Sequence, residues 1–203
     1  LIPFCFFLIK KKLSKKLIIQ SCILLIMGAS QGLIGWWMVK SGLIDRPDIS
    51  HFRLAVHLIT AFLTCAYTLW IALPFFFPSS REGNKVIFNH VLILFILVVI
   101  QIIYGAFVAG LKAGRIYNTW PKMGEQWIPE SVFLDPGAGS QFTHRTLALI
   151  IVVFTFYIWQ KGRKIKLSKL QSQSLNILPV IVSLQIVLGI LTLIMIAPIS
   201  LAL

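Results

Sequence analysis

The chain has 203 residues, of which 58% are hydrophobic and only 12% charged, against about 25% charged in an average soluble domain. Mean hydropathy is +0.88, and apolar runs approach the roughly 20 residues a helix needs to cross about 30 Å of hydrocarbon. A soluble globular fold is therefore excluded, and the composition predicts an all-α, polytopic transmembrane helical bundle.

In chain order the sequence predicts a short apolar end at 1–9, full spans near 18–38, 54–77, 87–110, 141–160 and 175–197, and a further apolar start at 199–203. Leu1 opens the chain without a Met or a charged region, so residues 1–9 do not read as a signal peptide. Pro198 breaks the last full span. Both ends read as cut, and the chain is expected to be an internal piece of a longer protein.

The net charge of +13 would suit nucleic acid, but its distribution argues otherwise. Lys10, Lys11, Lys12, Lys15 and Lys16 form one block, Arg81 and Lys85 a second, and Lys161, Arg163, Lys164, Lys166 and Lys169 a third. These alternate loops hold 12 of the 19 basic residues, while the intervening ones hold Asp45, Asp48, Glu125, Glu130 and Asp135. That asymmetry is the positive-inside pattern. It orients the basic loops to the cytoplasm or matrix and puts the loops around 40–52 and 110–140 outside. Cys5, Cys22 and Cys65 all fall in apolar stretches and read as small membrane hydrophobes.

A Gln-x-x-x-Gly pattern recurs late in alternate spans, at Gln31 and Gly35, Gln101 and Gly105, and Gln185 and Gly189. Residues i and i+4 share a helix face. An amide one turn from a glycine creates a surface that a partner helix or a flat ligand can approach closely while finding a hydrogen bond. Three copies suggest duplication, and their spacing fits a pair of four-helix units.

Four histidines complete the polar inventory. Arg53, His57, Thr60, Thr64 and Thr68 recur every three or four residues, a polar stripe expected to face the bundle interior. A neutral imidazole there, with a guanidinium one turn nearer the outer surface, suits a haem iron ligand and a propionate partner. The same spacing suits an interhelical hydrogen-bonding histidine. His144 beside Arg145 repeats the combination at the outer end of another span. His90 reads as a snorkelling residue at the cytoplasmic interface, and His51 as a loop residue.

Long strings then carry a resemblance. The run from Gly110 to Pro121 (GLKAGRIYNTWP), Ile128-Pro129, Gln141-Phe-Thr-His-Arg145, the run from Gln31 to Leu43, and Arg53-Leu-Ala-Val-His57 resemble haem A synthase of the alphaproteobacterial and mitochondrial type. The resemblance covers the whole chain. It implies an eight-span enzyme of two similar four-helix halves that oxidises the C8 methyl of haem O to a formyl, giving haem A for cytochrome oxidase. On that basis residues 1–77 are the remainder of the first half, 78–86 a cytoplasmic connector, and 87–203 most of the second half.

The resemblance makes His57 an iron ligand in the substrate half and His144 one in the half holding haem b, with Arg53 and Arg145 as cofactor-binding residues. A catalytic Glu and one further His are expected before Leu1 and another His after Leu203, so this stretch alone is expected to be inactive. Implied partners are haem O, membrane lipid, haem O synthase, cytochrome oxidase assembly factors and a second copy of the chain, with no nucleic acid. The implied location is the bacterial inner membrane, or alternatively that of mitochondria. Two other classes compete. A b-type cytochrome that only transfers electrons would use similar histidines, and formyl-bearing product separates it. A repeat-built transporter is disfavoured, because no Asp or Glu lies inside a span.

Overall fold

The computed structural model describes residues 2–42, 48–77 and 84–196. Within them lie seven α-helices and one 3-10 turn. They are α1 (Ile2–Ile9), α2 (Lys15–Val39), α3 (His51–Phe76), α4 (Lys85–Gly110), the 3-10 turn Ala113–Arg115, α5 (Ser131–Leu134), α6 (Pro136–Gly162) and α7 (Lys169–Ile194). Helices α2, α3, α4, α6 and α7 are each long and apolar enough to cross a membrane. At about 1.5 Å per residue each spans about 37–40 Å, which exceeds the hydrocarbon thickness. The fold is the expected polytopic helical bundle.

The helices run past the apolar windows because their polar ends are capped. Ser14 Oγ accepts from Leu17 N–H (3.3 Å) to start α2. Asp135 Oδ2 accepts from Ala138 N–H (2.7 Å), and Pro136 stands at the first turn, so α6 begins five residues ahead of the expected 141. A capping box of Ser168 and Gln171 likewise opens α7 at Lys169 instead of 175. His51, expected in a loop, is the first residue of α3. Periodicity alone misses such positions, since a first helical turn at a membrane surface need not be apolar.

The chain forms two compact units, Leu1–Arg81 and Glu82–Leu203. In the first, α2 packs against α3. In the second, α6 is central, with α4 and α7 both packed on it and α5 against its start. Leu94, Ile151, Ile158 and Leu175 form the buried apolar cluster there, surrounded by Leu97, Val98, Leu147 and Phe154. Large apolar side chains elsewhere point outward, as Val153 does at 70% exposure, the pattern of helices solvated by lipid. Arg81 and most of the 78–86 connector, Asp45, Pro198 and the apolar start at 199–203 lie outside the described residues.

The threonines of the polar stripe on α3 are satisfied along their own helix. Thr60 Oγ1 donates to the carbonyls of Val56 (2.8 Å) and His57 (3.0 Å), Thr64 Oγ1 to Thr60 O (2.7 Å) and Thr68 Oγ1 to Thr64 O (2.7 Å).

Lys164 follows α6, and Glu125 is exposed in the loop between α4 and α6. Cysteine placed at Lys164 is expected to react with an impermeant maleimide only from the cytoplasmic side, and cysteine at Glu125 only from the outside. The reverse labelling would invert the orientation.

Candidate functional site

Two of the three Gln-x-x-x-Gly motifs meet a histidine. In the first unit, a Cβ built on Gly35 of α2 would stand 3.2 Å from Cε1 and 3.7 Å from Nδ1 of His57 on α3. In the second, a Cβ on Gly105 of α4 would stand 3.2 Å from Cε1 and 3.7 Å from Nδ1 of His144 on α6. Each imidazole thus turns its Cε1 toward the glycine of the neighbouring helix, and a Cβ at either position would stand tight against the ring. The third motif has no such partner among the described residues: nothing lies within 4 Å of the Cβ position of Gly189.

Each cradle also holds an amide. Gln101 Nε2 lies 3.3 Å from His144 Nε2 and donates to the carbonyl of His144 at 3.2 Å. In the first unit both amide atoms of Gln31 are buried without a partner. Eight buried side-chain polar atoms lack partners among the described residues, and six of them belong to Gln31, His57, Gln101, His144 and Arg145. An unsatisfied buried polar group costs about 1–3 kcal/mol, so their concentration at two matching points calls for an explanation. A ligand that uses imidazole nitrogens and fits between helices supplies one, and the donor set therefore fits haem.

The arginines are committed differently. Arg53 Nη1 donates to Trp37 O (2.8 Å), with its guanidinium 4.5 Å from the Trp37 ring centroid. Arg145 Nη2 donates to Tyr117 O (2.6 Å), and Nη1 donates to Thr119 O (3.0 Å) and reaches Lys122 O (3.5 Å), while Nε is buried and unpartnered. Arg145 therefore ties the 111–135 loop down onto the first turns of α6. Gln141 Nε2 adds a bond to Tyr117 O (2.9 Å). Tyr117 Oη and Ser131 Oγ share a hydrogen bond (2.7 Å), and Asn118 Nδ2 donates to Leu193 O on α7 (2.9 Å). Met123 is buried within this loop at 2% exposure, whereas Trp127 stands out at 65%.

The remaining histidines are elsewhere. His90 Nδ1 lies 2.6 Å from Val86 O, and its ring stacks on Phe154 and lies against Tyr157 of α6. His51 lies against the Phe52 ring. Cys5, Cys22 and Cys65 are free thiols. No cluster of three or more His, Cys, Asp or Glu occurs among the described residues. Sequence reasoning found Gln101, Gly35 and Gly105 but left unseen that each faces a histidine. It also left unseen the carbonyls that Arg53 and Arg145 occupy, which are backbone groups with no signature.

Fold and site define an all-helical membrane protein in which two helix pairs each seat an imidazole of one helix on a glycine of the other. The whole chain, residues 1–203, matches the family model COX15-CtaA, described as cytochrome oxidase assembly protein, and the chain belongs to that family. Among curated relatives it is 45% identical to a protein named heme A synthase from Flavobacterium johnsoniae, over 100% of this chain and 63% of the relative. It is 40% identical to heme A synthases from the Wolbachia of Brugia malayi and from Maricaulis maris, over 100% of this chain and 62% of each relative. The chain thus spans less than two thirds of the length of these relatives.

Two outcomes follow from the geometry. Replacing Arg145 by Leu removes hydrogen bonds of a charged group, each worth about 1.5–3 kcal/mol before solvent discounts it. Amide hydrogen exchange in residues 117–122 should then accelerate about tenfold or more, with the helical amides of α4 unchanged. Replacing Gly105 by Leu should displace the His144 ring and lower thermal stability by about 1–3 kcal/mol, read as a drop in Tm.

Proposed function

We propose that this chain acts as a haem A synthase, oxidising the C8 methyl of haem O to the formyl of haem A for cytochrome oxidase. The observation that carries the reading is the repeated cradle of Gly35 with His57 and Gly105 with His144, each with an orphaned imidazole nitrogen. Relatives named heme A synthase support the particular reaction.

In this reading His57 holds haem O in the first half and His144 holds haem b in the second, the two halves being 1–77 and 87–203 joined by 78–86. Bound haem would supply the redox chemistry. The chain's own residues hold and orient it. Imidazole is a ligand suited to low-spin iron, and the bare glycines let the rings sit back against backbone. Arg53 and Arg145 supply positive charge for propionates, and the unpartnered Nε of Arg145 leaves one buried donor for that purpose. The 111–135 loop, tied to α6 and α7, restricts water at the His144 end. Haem O and lipid are the proposed partners, together with haem O synthase, assembly factors and a second copy. The bacterial inner membrane is the proposed location, in keeping with the bacterial sources of the relatives.

The test uses the full-length protein purified in lipid. His57→Ala and His144→Ala should each lose about half of the bound haem, while His90→Ala keeps it, measured as pyridine haemochrome. Chromatography of extracted haem should show haem A only where His57 is intact. Unchanged haem content in both variants, or extraction of unmodified haem alone from the unmutated protein, would overturn the reading.

A further inference from the structure

We propose that the groove between α6 and α7 seats one acyl chain of an anionic phospholipid, with Arg163 holding the lipid phosphate at the basic loop. Trp159, at the mouth of the groove, is fifteen residues beyond His144 on α6, about 22 Å along the axis. The site is therefore separate from both histidine cradles and does not depend on the haem reading.

The groove has a volume of about 440 Å³ and is lined by Phe156 and Trp159 of α6 and by Asn176, Val180, Ser183 and Val187 of α7. The α7 residues recur every three or four positions and so share one face. From Asn176 to Val187 that face runs eleven residues, about 16 Å, close to one leaflet of a hydrocarbon core about 30 Å thick. Towards the loop the helices touch, because a Cβ on Gly162 would overlap the Leu175 side chain. Every lining residue lies on the membrane side of that contact.

The loop end carries the chemistry of a headgroup. Trp159 Nε1 can only donate, so the Asn176 atom 3.0 Å from it is the amide oxygen. The Asn176 NH2 is left without another hydrogen bond among the described residues, a donor at the depth of an ester carbonyl. Nearer the surface, the Arg163 guanidinium stands over the Trp159 ring, 4.8 Å from its centroid. Its side chain makes no hydrogen bond among the described residues, so stacking fixes its place and leaves its planar fork of N–H groups for a phosphate. Lys161 is committed elsewhere, 5.6 Å from the centroid of the Tyr157 ring, which His90 of α4 also touches. Lys164, Lys166 and Lys169 add charge around the mouth, and no acidic residue follows Asp135. With no carboxylate on α6, its loop or α7 to offset them, these cations favour an anionic lipid over a zwitterionic one.

The full-length protein, reconstituted in phosphatidylcholine vesicles, is exposed to a trace of phosphatidylglycerol carrying a diazirine in one acyl chain. After illumination the labelled peptides are identified by mass spectrometry. Label is expected in residues 176–187 and displaced by unlabelled phosphatidylglycerol about tenfold more effectively than by added phosphatidylcholine. Arg163→Leu, an exposed change outside the packed core, should remove that preference, whereas Lys161→Leu should keep it. Ser183→Phe fills the groove and should remove the label from 176–187 while leaving any on α4. Equal displacement by the two lipids would reduce the site to ordinary lipid solvation and overturn the proposal. So would an unchanged preference in Arg163→Leu, or the absence of label at 176–187, the result expected if another span or a second copy covers the groove. Should Ser183→Phe fail to fold, the Arg163→Leu and Lys161→Leu pair decides alone.

Discussion

An imidazole can rest its edge against a neighbouring helix only where that helix lacks a side chain. This constraint, met at Gly35 beneath His57 and at Gly105 beneath His144, sets how closely α2 approaches α3 and α4 approaches α6. Leucine or valine in place of either glycine would hold the helices apart or drive the ring out of the pocket, since packed interiors do not yield by a full side chain. The glycine fixes the depth of the ring, the amide of Gln101 in the second unit reaches the polar atoms beside it, and the rest of each span is free to be apolar. The unpartnered polar atoms gather at these points because the protein has little other polarity inside its spans.

Lipid as solvent explains the remainder of the architecture. Side chains such as Val153 and Trp70 face outward at 70% and 60% exposure, which would be unfavourable in water and is neutral in hydrocarbon. Threonine hydroxyls on α3 close onto their own backbone, as groups without water must. The 111–135 loop meets the same demand differently. Its carbonyls at Tyr117 and Thr119 are taken by Arg145, and Asn118 bridges Gly114 O and Leu193 O. A half-buried guanidinium with several fixed donors can organise irregular backbone where a single neutral hydrogen bond could not. Arg145, read from sequence only as a propionate partner, therefore also acts as the clasp of its loop.

Much of the fold was legible beforehand. Five spans, their order and the alternation of basic and acidic loops follow from residue counts, because hydrophobic length and charge asymmetry act over whole segments and tolerate local error. Helix ends were less legible. Pro136 and Lys169 open their helices through Asp135 and Ser168, caps that extend a helix into polar sequence that an apolar window discards, and His51 opens α3 without a side-chain cap bond from Ser50. The Gln-x-x-x-Gly recurrence was visible, as were His57 and His144, but nothing in the linear order said that the one faces the other.

The sequence by itself determined an all-helical membrane fold, the duplicated Gln-x-x-x-Gly motif and the pairing of each candidate histidine with a nearby arginine. Those are properties of composition and of spacing within one helix, where 3.6 residues per turn fixes what shares a face. Only the tertiary structure decided that Gly35 lies under His57 and Gly105 under His144, that Gln101 bonds its histidine while Gln31 does not, and that Arg145 holds backbone carbonyls 23 to 28 residues away in sequence. The rotation of one helix about its axis relative to its neighbour sets those contacts. That angle comes from the fit of many side chains at once, and no local pattern encodes it.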